Sequence, residues 1–441
     1  MTVRSVDAVV VGGGSAGMAA ALAMRQAGLT VAIVERDPFL GGILLQCIHS
    51  GFGLHEFGLD LTGPEYAERF IGPVLASGID ILLDATVMEI RDEPPRGKVL
   101  TAFSRRLGIV RFSTRAIVLA MGCRERNRGN VAIAGTRPAG VFTAGLAQRL
   151  VNVEGCIPGR RAVIIGSGDI GLIMARRLTL IGCKVLAVVE IQPYPSGSVR
   201  NIVQCLNDFS IPLYLGHVVV RITGKDRVEQ VEVAPLEDGH PVSAKSFRID
   251  CDTVLLSVGL IPENELSRAA GVSIEAGTGG PWVDADLMTR VEGIFACGNV
   301  LHVHDLVDFV TEEARRCGER VVSWLGGERT QGMLTVVPGA NVRYVVPNTF
   351  VPGRENVLFL RPLVVKNEAR LEVRVGGQEI RSRRLAHVQP SEMIRLSLDK
   401  DAVSSSVGAK STEYGSTRSG GTPYGGAKST EYGGAMEVSI R

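Results

Sequence analysis

The chain opens with an apolar run that barely alternates, then a stretch of small residues, then a second apolar run. Residues 6–11 predict a buried parallel strand, because a strand covered on both faces has no polar side. Residues 15–27 predict a helix of small residues, and residues 30–34 predict the next strand. The same pattern returns over residues 161–190. The chain therefore predicts two separate parallel βαβ units and an α/β fold.

Periodic segments between and after these units complete the predicted core. Residues 62–65, Thr-Gly-Pro-Glu, have the spacing of a capping box with proline in the first turn, which predicts the start of a helix. Residues 202–209 predict another helix. The remaining predicted elements are strands within 79–91, 99–119, 218–235, 246–258 and 294–299, and a helix that ends near residue 325.

The pattern changes after Gly326 and Gly327, where short apolar runs alternate with turns. This pattern predicts a small antiparallel β-domain over residues 335–441. Within it, residues 401–434 are rich in Gly, Ser and Thr and contain Ala-Lys-Ser-Thr-Glu-Tyr-Gly twice. So few large apolar side chains predict a flexible insert. The basic run at residues 381–384 predicts a solvated edge or, alternatively, a docking patch.

Each βαβ unit carries a glycine-rich turn between its first strand and its helix. The turns read Gly-Gly-Gly-Ser-Ala-Gly at 12–17 and Gly-Ser-Gly-Asp-Ile-Gly at 166–171, and the second strands end in Glu35 and Glu190. In this context the spacing predicts dinucleotide binding: the glycines permit a tight turn and a close backbone approach to pyrophosphate, and the acid accepts ribose hydroxyls. Two such sites in one chain predict a redox relay.

Composition narrows the class of protein. At 441 residues the chain suggests two or three domains. A net charge of +2 and 5% aromatic residues give no basis for nucleic-acid binding. Eight scattered cysteines without a CxxC pair predict reduced thiols and a cytoplasmic location. The apolar start is read as the first βαβ unit rather than a signal peptide, and no run reaches the ~20 apolar residues of a membrane span.

The order of motifs resembles the pyridine nucleotide–disulfide oxidoreductase superfamily. Between and after the two glycine turns come Ala-Met-Gly at 120–122, Val-Gly at 258–259 and a strand that ends in glycine at 293–299. The resemblance implies an FAD-binding domain, residues 1–125 and 256–330, into which an NAD(P)H-binding domain, residues 126–255, is inserted. Glu190 predicts NAD(H) in preference to NADP(H), because a carboxylate repels a 2′-phosphate.

The resemblance also implies the residues of both cofactor sites. Asn299 stands where the family usually has Asp, and an amide still bonds a hydroxyl. For the second glycine turn, the alternative to NAD binding is a vestigial site that no longer binds a nucleotide. The FAD residues are Gly12, Gly14, Ser15, Ala16, Gly17, Glu35, Arg36, Gly42, Ile43, Cys47, Val87, Ala120, Met121, Gly122, Gly298, Asn299, His304 and Asp305. The NAD residues are Gly166, Ser167, Gly168, Asp169, Ile170, Gly171, Glu190, Val258 and Gly259.

The redox-active dithiol of the disulfide reductases is missing from this chain. Those enzymes place two cysteines after paired glycines, and the matching positions here are Leu44 and His49, with Cys47 alone between them. Cys–Cys exchange is therefore excluded at this site. Cys47 and His49 either tune the flavin or relay protons, with a thiolate of lowered pKa beside an imidazolium, or are a buried thiol and a hydrogen-bonded histidine.

A histidine- and aspartate-rich segment follows the last glycine motif. On a helix, His302 would share a face with Asp305 and His304 with Asp308, which is typical of metal ligands. The favoured interpretation is instead a helix whose N-terminal dipole faces the flavin, with His304 as a proton-relay candidate and no metal. Cys47, His49 and His304 are the candidate catalytic residues.

Three segments, 41–53, 136–144 and 298–305, resemble a subgroup associated with glycerol-3-phosphate dehydrogenases and a small cysteine-containing protein. The resemblance implies hydride transfer between NAD(H) and FAD, with electrons relayed to or from a partner dehydrogenase subunit, and it is compatible with a homo-oligomer. One alternative is a stand-alone NADH oxidase or peroxidase that uses Cys47. Another is a flavin-bearing scaffold protein whose C-terminal domain performs the function.

Overall fold

The computed structural model describes residues 2–94, 97–400 and 435–441. The predicted insert at 401–434 lies outside the described residues. Among the described helices, none is both long enough and apolar enough to cross a bilayer. The described chain is an α/β protein with two parallel-stranded cores, followed by a β-domain at its C-terminal end.

The first core is built on a central strand whose residues 8–10 are wholly buried. A 3-10 helix spans Gly42–Gln46, and the capping box predicted at residues 62–65 is present at the start of the second helix. The elements in chain order are β1 Thr2–Val11, α1 Ser15–Gln26, β2 Val31–Val34, β3 Ser50–Phe52, β4 Leu61–Thr62, α2 Gly63–Ala76, β5 Asp80–Leu82, β6 Ala85–Asp92, β7 Lys98–Ser104, β8 Gly108–Leu119 and β9 Cys123–Glu125.

The second core contains the second βαβ unit and an antiparallel sheet beside it. The helix predicted at residues 202–209 is split, since its last turn is a 3-10 helix. The elements are β10 Ala134–Gly135, β11 Val141–Thr143, α3 Ala144–Asn152, β12 Arg161–Ile165, α4 Asp169–Leu180, β13 Lys184–Glu190, α5 Val199–Cys205, β14 Leu213–Leu215, β15 His217–Gly224, β16 Val228–Glu237, β17 His240–Pro241, β18 Phe247–Asp250 and β19 Thr253–Leu256.

The chain then returns to the first core before it enters the C-terminal β-domain. The returning elements are β20 Leu260–Pro262, α6 Glu265–Ala269, β21 Ile294–Ala296 and α7 Val307–Leu325. The β-domain consists of β22 Leu334–Pro338, β23 Val342–Val346, β24 Thr349–Phe350, β25 Asn356–Pro362, β26 Lys366–Val375, β27 Gln378–Val388, β28 Ile394–Leu398 and β29 Met436–Ile440.

Sheet order shows how these parts join. The first core has the order β5-β2-β1-β8-β7-β6, with β21 parallel to β8, and the second has β11-β19-β12-β13-β14. Antiparallel β9 and β20 form a two-stranded link between the cores. Strand β21 pairs in register with β8 after the whole second core has intervened along the chain, as the predicted insertion of the second domain requires.

The C-terminal β-domain packs two sheets, β24-β22-β29-β26-β27 and β23-β25-β28, around one apolar core. Tyr344 and Val346 extend from it into the core of the first domain. The β-domain is therefore joined to the first domain by buried side chains as well as by the polypeptide.

Candidate functional site

The first glycine turn is shaped by contacts that exclude side chains. Gly12 has φ +106°, and a Cβ there would lie 2.4 Å from Ala120 O. A Cβ at Gly17 would lie 1.8 Å from Gly12 O, so the first turn of helix α1 packs directly against the backbone of the glycine turn. Gly14 differs, because the nearest atom to its Cβ position is Gly42 Cα at 4.0 Å. The protein leaves this side open, as a pyrophosphate requires.

Helix α1 begins at this turn with neither a capping side chain nor an acidic first-turn residue among the described residues. Its first N–H groups are therefore available to an anion. Glu35 is buried, and its carboxylate accepts from Gly13 N–H at 2.6 Å and Asp37 N–H at 2.8 Å. A carboxylate has about four acceptor positions, so Glu35 retains capacity for ribose hydroxyls.

The second glycine turn repeats this structure. Gly166 has φ +93°, and a Cβ there would lie 2.1 Å from Ser257 O. At Gly168 the nearest atom to a Cβ is 3.6 Å away, so the middle glycine is again the open one. Glu190 Oε2 accepts from Ser167 N–H at 2.8 Å and from its hydroxyl at 2.6 Å. The two turns therefore share the same arrangement of glycines and of a buried glutamate that accepts from the backbone of the turn.

The second turn differs from the first at the start of its helix. Asp169 is the first residue of α4, and its Oδ1 accepts from Ser198 N–H at 2.9 Å, which holds the carboxylate toward α5. Ile170 packs at the edge of the second core, and a Cβ at Gly171 would lie 2.8 Å from Ser257 Cβ. The α4 N-terminus therefore carries an acidic side chain that α1 lacks.

Strand ends bring the flanking motifs to both turns. Ala120 N–H donates to Val11 O at 2.9 Å, so Met121 and Gly122 follow directly beside the first turn. Gly259 O accepts from Arg126 N–H at 2.9 Å, and Val258 precedes it beside the second. The sequence motifs that stood far apart along the chain thus meet at the carboxyl ends of parallel strands, where such sheets bind ligands.

The last glycine motif returns to the first turn. Gly298 has φ +74°, and a Cβ there would lie 2.8 Å from Ala16 Cβ, so the segment passes close to the start of α1. Asn299 Oδ1 accepts from His304 N–H at 3.0 Å, and its Nδ2 lies 3.6 Å from Cys123 Sγ. Asn299 therefore presents a donor where Asp would present only acceptors.

The other predicted FAD residues lie at the margins of this turn. Ser15 is half-buried at the start of α1, Gly42 approaches Gly14, and Ile43 is exposed in the 3-10 helix. Arg36 is exposed, and Val87 is half-buried on β6. Their contact with a cofactor stays a prediction.

Cys47 does not have the environment of a thiolate. Its Sγ lies 3.3 Å from Ile43 O and 3.8 Å from Gln148 Oε1, and burial raises its pKa to about 12. The Nδ1 atom of His49 instead lies 2.9 Å from Ser50 O, and its ring lies against that of Phe52. The hypothesis of a low-pKa thiol beside an imidazolium is therefore wrong, because burial without a cationic partner favours the neutral thiol.

Glutamine side chains tie the 3-10 helix to the inserted domain. Buried Gln46 donates through Nε2 to Gly145 O at 2.8 Å and to Gln148 Oε1 at 3.0 Å. Gln46 O accepts from Asn152 Nδ2 at 2.8 Å. Sequence reasoning missed this contact, since nothing local distinguishes these amides. It fixes helix α3 against the segment predicted to cover the flavin ring.

Two histidines and a glutamate form a wholly buried cluster behind Gly298. Glu313 accepts from Gly298 N–H at 2.7 Å, and its carboxylate oxygens lie 2.9 Å from His302 Nε2 and 3.3 Å from His304 Nε2. Burial lowers the pKa of His302 to about 4. Burial opposes ionisation of Glu313, yet the two imidazoles hold its pKa below the ordinary value. His302 therefore binds Glu313 as a neutral donor, not as an ion pair.

These three side chains are also the described residues whose ligand atoms are grouped as a metal site requires, all within 4.8 Å. The Nδ1 atoms of His302 and His304 have no partner. A histidine that ligates metal through Nε2 carries a proton on Nδ1 and normally donates it to an acceptor. A neutral His302 that donates from Nε2 to an anionic Glu313 matches the contacts better than a metal.

The two aspartates of this segment make interdomain and loop contacts instead of the predicted helical pairs. Helix α7 begins at Val307, so residues 302–305 precede it and the predicted helical ligand pairs do not form. Asp305 pairs with Arg361 of the β-domain, 2.8 Å from its Nη2, and its contact with FAD stays a prediction. Asp308 accepts from the backbone N–H groups of residues 53, 55 and 56 at 2.8–3.2 Å. It therefore secures the loop after the ring-covering segment.

Glu313 was missed by sequence reasoning, although the sequence carried a sign of it. The residues of α7 at 310, 313, 314, 317 and 321 are all buried, so Glu313 interrupts the apolar face of an amphipathic helix. A buried acid on such a face requires partners, and the partners here come from a segment about ten residues earlier and from a backbone turn.

Several known proteins are similar to this chain in sequence. The chain is 29% identical to an opine oxidase subunit of Agrobacterium tumefaciens over 66% of its length. It is 28% identical to hydrogen cyanide synthase subunit HcnB of Pseudomonas protegens over 61%, and to the CoA-dependent NAD(P)H sulfur oxidoreductase of Pyrococcus abyssi over 68%. The matches span about three fifths of these relatives, at 61%, 59% and 63% of their lengths.

Solved structures share the fold at lower identity. Thioredoxin reductase of T. acidophilum superimposes with a TM-score of 0.60 at 22% identity, over 73% of this chain and 98% of the other. A NAD-dependent persulfide reductase from A. fulgidus superimposes with a TM-score of 0.56 at 19% identity, over 90% and 72%. The second match extends into the C-terminal β-domain.

The sequence family described as pyridine nucleotide-disulphide oxidoreductase matches residues 6–318, which include both glycine turns and the helix that carries Glu313. This span is well over half of the chain. The two glycine turns, their acids and this match agree: the chain belongs to the pyridine nucleotide-disulphide oxidoreductase family.

Proposed function

We propose that the chain transfers hydride between NAD(H) and FAD and exchanges the electrons with a separate partner protein. The observation that carries this proposal is the pair of matching glycine turns combined with a predicted ring-covering segment that has one half-buried thiol in place of two cysteines. Within the described part of this segment there is no dithiol to receive electrons. The reducing equivalents must therefore leave or arrive through another molecule.

Each part of the chain has a defined task in this proposal. FAD and the nicotinamide supply the hydride chemistry, and the protein supplies position and a dry environment. The open sides of Gly14 and Gly168 admit the two pyrophosphates, and Glu35 and Glu190 accept from the riboses. Gln46 and its partners hold the inserted domain in a fixed relation to the ring-covering segment. Fixed approach of two reacting centres is a main source of rate in such transfers.

We further propose that the nucleotide is NAD(H) rather than NADP(H). Glu190 is buried beside the proposed ribose position, and both of its oxygens already accept backbone N–H groups. A 2′-phosphate would have to approach this carboxylate without a described cation that contacts it. The acid therefore favours the nucleotide without that phosphate.

The partner is proposed to be another polypeptide of the same complex. Two of the relatives named above are subunits of larger enzymes, an opine oxidase and a hydrogen cyanide synthase. The narrower expectation of a glycerol-3-phosphate dehydrogenase and a small cysteine-containing protein stays a prediction from the resemblance, since neither description is among these relatives. The cytoplasmic location likewise stays a prediction.

Anaerobic titration with NADH tests the proposal directly. The purified protein, loaded with FAD, should lose its flavin absorbance near the visible maxima as NADH is added, and NADPH should act much more weakly. Reduction by NADPH alone would overturn the nucleotide assignment. A flavin that stays oxidised with both nucleotides would contradict hydride transfer and favour the scaffold interpretation.

The rival interpretation, a stand-alone oxidase or peroxidase that uses Cys47, has a sharp test. Cys47→Ser should leave the rate of flavin reduction by NADH within about twofold, because a thiol whose pKa is raised to about 12 stays neutral and is a poor nucleophile at about pH 7. Cys156→Ser, at an exposed cysteine, is the matched control. Loss of peroxide reduction in Cys47→Ser alone would support the rival and contradict the relay.

A further inference from the structure

The C-terminal β-domain contacts the cluster behind Gly298 through strand β25. Phe359 is wholly buried, and its ring centroid lies 5.5 Å from that of His302 and 5.1 Å from that of His304. Tyr344 of β23 lies 5.9 Å from His302. The aromatic side chains of the β-domain therefore form a wall that keeps water from both histidines.

Two residues further along the same strand, Arg361 forms hydrogen bonds with the segment that carries those histidines, residues 302–305. Its Nη2 donates to Val303 O at 2.9 Å and to Asp305 Oδ1 at 2.8 Å, and its Nη1 donates to Ser391 O at 2.8 Å. Met393 N–H also donates to Asp305. The guanidinium is thus bound on one side to the histidine segment and on the other to its own domain.

The hydrogen bonds of Arg361 are linked to Gly298 and Asn299, beside the first glycine turn, by a short series of further hydrogen bonds. Val303 lies between His302 and His304, whose rings both contact Glu313, and Glu313 accepts from Gly298 N–H. His304 N–H also holds the Asn299 amide in place. A displacement of Val303 would change the position of both histidines, and through them the backbone and side chain at residues 298 and 299.

We propose that Arg361 is a positioning residue for the FAD site, through which the C-terminal domain holds residues 298–305 in the conformation that binds the cofactor. The inference rests on the proposed FAD site and goes beyond it, because it makes the β-domain part of that site. Arginine suits the task, since its planar fork spans a carbonyl and a carboxylate at once, whereas lysine offers a single point charge.

The chain offers a matched control in a second ion pair between the same two domains. Arg395 of β28 binds Glu312 of α7 at 3.0 and 2.6 Å, and the described structure shows no contact of Arg395 with residues 298–305. Arg395→Ala removes an interdomain ion pair of the same kind. It separates the general effect of weaker domain contact from the specific effect of losing the Arg361 hydrogen bonds to residues 303 and 305.

The experiment compares Arg361→Ala, Arg361→Lys and Arg395→Ala in the full chain by FAD dissociation constant, oxidised flavin spectrum and flavin reduction potential. Arg361→Ala should weaken FAD binding about tenfold, shift the spectrum and change the potential, and Arg361→Lys should recover only part of this. Arg395→Ala should leave all three within about twofold of the parent value, since it touches no hydrogen bond to the segment. Equal effects of both alanine variants would overturn the proposal.

Asp305→Asn provides a second route if Arg361→Ala fails to fold. It keeps the size of the side chain and removes the charge that Arg361 binds, so it should reproduce a part of the loss of FAD affinity. A parent protein that binds no FAD would refute the proposed function itself. A parent that binds FAD and is reduced by NADH, with unchanged flavin properties in Arg361→Ala and Asp305→Asn, would refute only the role of Arg361.

Discussion

At the scale of single residues, burial decides chemistry more strongly than residue type. Cys47 and His302 are both reactive residue types, yet burial raises the pKa of the thiol and lowers the pKa of the imidazole, so both stay neutral. Glu313 stays ionised in the same buried cluster as His302 because three N–H groups point at its carboxylate. The local set of donors, rather than the residue type, therefore assigns each group its charge.

The pKa of His302 predicts how stability depends on pH. It falls from 6.5 in an exposed chain to about 4 in the fold, so the folded protein resists a proton that the unfolded chain takes up. The contribution is present above pH 6.5 and is lost as pH falls toward 4, and it amounts to about 3 kcal/mol. Glu313 acts in the same direction, and Asp284, whose pKa burial raises to about 6, acts in the opposite one.

The test is therefore a difference between variants. His302→Gln keeps an N–H donor for Glu313 and removes the titration, so its free energy of unfolding should fall less steeply than the parent value between about pH 6.5 and 4.5. His387→Gln, at an exposed histidine of β27, should follow the parent curve. Identical slopes for the parent and His302→Gln would contradict a neutral buried His302.

At the scale of elements, the two βαβ units separate the glycines that the fold needs from those that a ligand needs. Side chains at positions 12, 17 and 166 would collide with backbone carbonyls. Gly14 and Gly168 have φ of −78° and −64°, which any residue adopts, and the space beside them is open. Contacts within the described protein therefore do not require the middle glycine of each motif, whereas the proposed pyrophosphate sites do.

This separation gives a paired prediction. Gly14→Ala should weaken FAD binding about tenfold and leave the apoprotein as stable as the parent, because its Cβ fills only the open side of the turn. Gly168→Ala should weaken NADH binding to a similar extent and leave FAD bound. Dissociation constants for both nucleotides check this, and each variant is the control for the other. Loss of folding in either, or loss of both nucleotides in one, would contradict the assignment of two separate cradles.

At the scale of the whole molecule, three domains are joined by buried polar contacts at the places where they meet the proposed cofactor sites. Gln46 connects the first domain to the inserted one, and Arg361 connects it to the β-domain. The Gln46 contact sets how the two glycine turns lie relative to each other, and the Arg361 contact sets the position of residues 302–305. Domain placement is therefore part of the site.

The Gln46 contact predicts an effect on hydride transfer that spares binding. Gln46→Ala removes the hydrogen bonds that orient α3, so the rate of flavin reduction at saturating NADH should fall about tenfold while the NADH dissociation constant stays within about twofold. Gln230→Ala, at an exposed amide that bonds Asp250, should change neither quantity. A changed dissociation constant with an unchanged rate would show that Gln46 supports binding and not orientation.

The sequence alone determined the two βαβ units, the glycine turns with their acids, the β-strand character of the C-terminal domain and the missing dithiol. These features depend on local periodicity and short spacing, which are visible along the chain. Only the tertiary structure decided that Cys47 is a neutral thiol, that Asp305 faces Arg361, and that Glu313 joins His302 and His304. Burial and partners from distant segments control charge and direction, and neither is written in the local pattern.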